Sequence, residues 1–178
     1  MKNGLIYGAI SGILMSVLLL LLHKFLPNLF FSPVLSLITM NVVAIIAMTL
    51  ACRKEKQALG GSLKFGEGLL IGMIAYGVFS LIYTISMWAL INFSPEAFET
   101  LKMITKTSTE NMLHKVGVPE DQIFEQTDQL AAATEGSKNL SLSLINWTIF
   151  LLVPGGLLAL LISGIISRKS KDQKIASE

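Results

Sequence analysis

Four apolar stretches, at about 4–22, 34–51, 69–91 and 142–166, constrain this chain more than anything else in it. Each approaches the ~20 residues that carry a helix across ~30 Å of hydrocarbon at ~1.5 Å per residue. Composition agrees, with 52% of residues hydrophobic, 15% charged and a mean hydropathy of +0.64, on the membrane side of the range for water-soluble domains. The expected fold is all-α, an integral membrane four-helix bundle. Its 178 residues leave room for one membrane domain, 1–178, with one modest insertion, and not for a separate catalytic domain.

Basic residues between the stretches set the expected orientation, because Lys and Arg are held on the cytoplasmic side during insertion. Arg53, Lys54, Lys56 and Lys64 lie between the second and third stretches, and Arg168, Lys169, Lys171 and Lys174 lie in the tail, whereas the first connection has only Lys24. Both basic segments are therefore expected inside, with the N-terminus and the C-terminus, and residues 92–141 outside. That outer segment sets Lys102, Lys106, Lys115 and Lys138 against eight carboxylates. The first stretch follows Lys2 but is too long for a typical secretory signal core. No small-residue cleavage site follows it in His23-Lys24-Phe25-Leu26-Pro27, so it reads as a retained span. Cys52 is the one cysteine, which excludes an internal disulfide, and at the inner end of the second span it reads as an inert packing residue.

Lipid tails give apolar helices little reason to associate, so packing is expected to rest on small residues that allow close backbone approach. Gly4, Gly8, Gly12 and Ser16 repeat every four residues along the first span, and Gly68 and Gly72 open the third. These faces are expected to meet inside one chain; a homo-oligomer through the Gly4 to Ser16 face is the other reading. Pro154, Gly155 and Gly156 interrupt the fourth span, where proline removes a backbone donor and clashes with the preceding turn, so a kink is expected. Broken helices of this kind build ion or substrate sites in transporters, although Pro and Gly are also common as packing features.

No Asp, Glu, Lys, Arg or His lies in the cores of the four stretches, where a charge would point to function. The polar residues there are uncharged, among them Thr39 and Asn41, then Ser80, Tyr83, Thr84 and Ser86, then Asn146 and Thr148. Asn41 is the most notable, since an amide in hydrocarbon seeks a partner on another helix. His23 and His114 are far apart, and the sequence has no His-Glu-x-x-His motif, no paired cysteines and no glycine-rich phosphate loop. The expectation is a protein that is not an enzyme, with no catalytic, cofactor-binding or metal-binding residues and no cofactor. Nucleic acid is not expected as a partner, since the basic clusters are short and juxtamembrane, where anionic lipid heads explain them.

The outer segment has local order of its own. Ser94 suits a helix N-cap, Pro95 the first helical position and Glu96 the first turn. Phe98, Leu101, Ile104, Ser108, Met112 and Val116 then recur at helical spacing, and Gly117 suits the end. Pro119-Glu120-Asp121 begins a second amphipathic stretch in which Ile123, Phe124, Thr127 and Leu130 share a side. An extramembrane helical hairpin inserted between spans three and four follows, with Phe98, Leu101, Ile104, Met112, Ile123 and Phe124 as the face offered to a partner, to the membrane surface or to each other.

The segments Met1-Lys2-Asn3-Gly4-Leu5-Ile6-Tyr7-Gly8, Gly61-Ser62-Leu63-Lys64-Phe65-Gly66-Glu67-Gly68, Ser94-Pro95-Glu96 and Lys115-Val116-Gly117-Val118-Pro119-Glu120 are, in this order, similar to the domain of unknown function 4199 family. Those are small four-span proteins found chiefly in Bacteroidota. The resemblance implies a bacterial inner membrane location with the insertion in the periplasm, and it brings no catalytic residues. The functional expectation is an interaction or assembly protein whose insertion engages a membrane or periplasmic protein or the lipid surface. A small channel or carrier using the kinked fourth span is the alternative.

Overall fold

At several connections in this chain the helix ends are set by local capping chemistry. The structure, a computed structural model, describes residues 1–26 and 33–175; Pro27, quoted above as following the first span, lies outside them. The helices are α1 (Lys2–Phe25), α2 (Pro33–Ala58), α3 (Phe65–Phe93), α4 (Pro95–Lys115), α5 (Glu120–Glu135), α6 (Leu140–Phe150) and α7 (Gly156–Ile175). A short 3-10 turn, Gly136–Lys138, precedes α6, and a π-turn, Leu151–Gly155, joins α6 to α7. Among the described residues, four helical segments are long and apolar enough to cross a membrane: Lys2–Phe25, Leu37–Ala58, Phe65–Phe93 and Leu140–Ser167.

The connections follow from sequence. After α2, Gly60 and Gly61 take left-handed φ of 70° and 91°, and Gly61 N–H returns to Lys56 O at 2.8 Å, closing the last turn. The Glu67 carboxylate accepts from Lys64 N–H at 3.1 Å, satisfying a donor that the start of α3 leaves open. Ser94, with φ −124° and ψ 98°, breaks the chain between α3 and α4, and its hydroxyl accepts from Ala97 N–H with Pro95 beside it, as expected. Gly117 ends α4 with φ 77°, and Val118 N–H reaches Leu113 O at 3.1 Å.

By contacts the chain divides into two compact units. The first comprises Met1–Met15, Met40–Tyr83 and Asn146–Glu178. Its buried centre includes Met48, Ala75, Tyr76, Phe79 and Ala159. Lys56 Nζ donates to Ile166 O at 3.0 Å and Ser163 Oγ to Phe65 O at 2.6 Å, joining α2 to α7 and α7 to the start of α3. Cys52 is buried with its thiol 3.4 Å from Gly68 O, a packing position.

The second unit comprises Ser16–Thr39 and Thr84–Ile145. Ser16 Oγ and Ser86 Oγ lie 2.7 Å apart, linking α1 to α3. Helices α4 and α5 run back along each other, with Lys102 near Glu135 at 3.5 Å and Lys106 near Asp128 at 3.8 Å. Phe98, Leu113, Ile123 and Thr127 are buried.

Candidate functional site

Pro154 is the strongest local break in any span, and the structure turns it into a π-turn rather than a simple bend. Directly after it, Gly155 meets the ring of Tyr76: a Cβ there would lie 2.5 Å from Tyr76 Cδ1. Gly156 meets nothing within 4 Å, so the two adjacent glycines play different parts. One turn of α3 beyond Tyr76, Ser80 is buried; its hydroxyl donates to Tyr76 O at 2.7 Å and accepts from Trp147 Nε1 at 2.8 Å. The indole N–H, which in hydrocarbon must find an acceptor, thus ties α6 to α3 beside the broken turn. Tyr76 and Phe79, with ring centroids 6.3 Å apart, fill the same region. This is a packed polar contact inside apolar surroundings.

The glycine stripes are close-approach points. A Cβ at Gly4 would lie 2.9 Å from Ile71 O, at Gly8 2.5 Å from Ala75 O and at Gly12 2.9 Å from Ile82 Cβ, so these three residues let α1 lie against α3. Ser16 continues the line in its bond to Ser86. The two stripes do not face each other: Gly68 lies against Ser163 and Gly72 against Ala159 and Met48, toward α7 and α2. Spacing identifies a small face but not its neighbour. Asn41 is half-buried on α2. Asn146 and Thr148 are exposed, and Trp147 between them is the residue that turns inward. Sequence reasoning passed over Trp147; the need of a membrane-buried indole N–H for an acceptor was the available signal.

On α4 and α5 the expected partner face divides. Phe98 and Ile123 are buried, Leu101 and Ile104 are half-buried, and Met112 and Phe124 are exposed. At the end of α4 it is Leu113, not Met112, that lies on the inner side. Phe124 likewise leaves the side shared by Ile123 and Thr127 and lies under the Lys106 ammonium, 5.8 Å from the ring centroid. Where α5 returns, Trp88 Nε1 donates to Lys138 O at 2.9 Å, and the Lys138 ammonium sits 3.6 Å from the centroid of Phe98. Among the described residues, no three His, Cys, Asp or Glu side chains are grouped to hold a metal ion.

A family described as "Protein of unknown function (DUF4199)" matches residues 2–169, a stretch that takes in all four apolar helices and both α4 and α5. The chain belongs to this family. No curated protein and no solved structure matches it. The DUF4199 match runs across the spans and the segment between α3 and α6.

Proposed function

We propose that this is a non-enzymatic protein of the bacterial inner membrane, its four spans forming one bundle and α4 with α5 forming a periplasmic hairpin that binds a membrane or periplasmic protein. The observation that carries this reading is apolar exposure on helices too polar to cross the bilayer: Met112 is 60%, Val116 69% and Phe124 66% exposed. Large apolar side chains exposed outside the hydrocarbon support such a surface where they adjoin one another. The excess of Lys and Arg in the segment after α2 and in the tail supports cytoplasmic termini and an external hairpin. Photocrosslinking from a benzoylphenylalanine placed at Phe124 in native membranes tests it. The reading expects one discrete protein adduct that is lost when Met112→Asp and Val116→Asp accompany the probe; a chain crosslinked only to itself or to lipid contradicts it.

A channel or carrier is the second reading, favoured by the π-turn at Leu151–Gly155, where an irregular helix leaves backbone groups without their regular partners. Reconstituted proteoliposomes whose potassium or proton flux changes with Pro154→Ala would support it, and impermeable vesicles would remove it.

A further inference from the structure

Helical spacing sorts the outer side chains of α4 and α5 into strips, and one strip on each helix mixes apolar with acidic residues. On α4, Glu99, Met103, Lys106 and Glu110 follow at steps of four, three and four residues, which at ~100° per residue keeps them in line. On α5, Glu120, Phe124 and Asp128 recur every four residues. The two strips adjoin, because the Lys106 ammonium lies 5.8 Å from the Phe124 ring centroid and 3.8 Å from Asp128 Oδ1. Met103 is 57% and Phe124 66% exposed, with Glu99 and Glu120 exposed and Glu110 half-buried on the same face.

Charge on this face is one-sided. Lys106 is the one cation in the two strips against four carboxylates, and it is already engaged with Asp128 and the Phe124 ring. Lys102 and Lys138 are drawn to Glu135, and Lys115 falls about 160° from Glu99 around α4. Among the described residues, no ion pair holds Glu99, Glu110 or Glu120. The face therefore presents two large apolar side chains within a negative field. A wholly apolar occupant would desolvate those carboxylates without giving them a partner. Anionic lipid heads carry the same sign as the face and are repelled by it. A cationic occupant meets both demands, since it covers the apolar pair while its charges answer the carboxylates.

We propose that this face of α4 and α5 docks a basic amphipathic segment of another protein, with Lys or Arg side chains against Glu99, Glu110 and Glu120 and apolar side chains on Met103 and Phe124. The inference rests on the reading that α4 and α5 bind a protein, and it adds the chemistry of the bound segment. An amphipathic helix laid along paired helices is a common form of such recognition.

Titration of the full chain in phosphatidylcholine nanodiscs tests it, with a fluorescent amphipathic helix of leucine and lysine as probe, the same helix carrying glutamate for lysine as its counterpart, and empty nanodiscs as the blank. The lysine helix is expected to bind, more weakly as salt rises, and the glutamate helix is not. Glu99→Gln with Glu110→Gln is expected to weaken binding severalfold, and so is Met103→Ala with Phe124→Ala. Glu125→Gln, which removes a charge ~100° from Phe124 around α5, is expected to change it by less than about twofold and by less than either Glu99→Gln or Glu110→Gln alone. A lysine helix that fails to bind, equal binding of the two helices, or a loss at Glu125 as large as that at Glu99 and Glu110 overturns the proposal. So does capture of phosphatidylglycerol vesicles that Phe124→Ala abolishes. A discrete protein adduct from position 124 in native membranes, found beside any of these failures, removes the charge assignment alone; without that adduct the underlying reading falls as well.

Discussion

At Gly155 a single methyl group separates a tolerated residue from a disruptive one. A Cβ there would enter the Tyr76 ring, whereas at Gly156 it would meet open space. Gly155→Ala is expected to cost about 1–3 kcal/mol through overpacking. Gly156→Ala is expected to be neutral or to stabilise by up to about 1 kcal/mol. Unfolding of the two variants in matched detergent micelles checks the contrast. The bond between Trp147 and Ser80 gives a second test: a double-mutant cycle of Trp147→Phe and Ser80→Ala is expected to show coupling of about 0.6 kcal/mol, the usual size for such bonds in a bilayer. Sequence marked Ser80, Pro154 and Gly155 as worth attention. It could not rank Trp147 above Asn146 and Thr148, because which of three neighbouring residues turns inward depends on where the helix lies and not on the residues themselves.

For the helical elements, local chemistry was legible and lateral neighbours were not. Ser94, Pro95, Gly117 and Pro119 act through backbone groups within a few residues, so the ends of α4 and the start of α5 follow from the chain. The inner face of α4 follows only for its first turns, since at its end Leu113 is buried and Met112 exposed, which spacing alone does not give. Phe98 and Phe124 make this difference measurable. Phe98→Ala removes a buried ring and is expected to destabilise α4 and α5 by about 3–5 kcal/mol, read as faster proteolysis between residues 95 and 138. Phe124→Ala removes an exposed ring and is expected to change stability by less than about 0.5 kcal/mol while abolishing capture of the partner by the tagged chain in pulldowns from native membranes. The break at Pro154 was visible as a break; its form as a π-turn, and the seat of Gly155 on Tyr76, were not, since that contact is remote in sequence.

Across the whole molecule, the count of spans was legible because the bilayer imposes one length on every crossing segment. The use of the glycine stripes was not, since identical small faces serve equally for contact within a chain and between chains. Gly4, Gly8 and Gly12 are occupied by α3, so a second copy using that face would have to displace it. Gly8→Ile is therefore expected to lower stability in micelles without changing the oligomeric state; a loss of oligomer at unchanged stability would reassign the stripe to a partner chain. The central claim is that four helices use lipid as solvent and leave the segment after α2 and the segment after α3 on opposite faces of the membrane. Labelling of intact cells with a membrane-impermeant maleimide, on chains carrying Ser62→Cys or Asp121→Cys in a Cys52→Ala background, tests this most directly. The account predicts that Asp121→Cys is labelled from outside the membrane and Ser62→Cys only after that membrane is broken; equal labelling of both, or the reverse order, would contradict it.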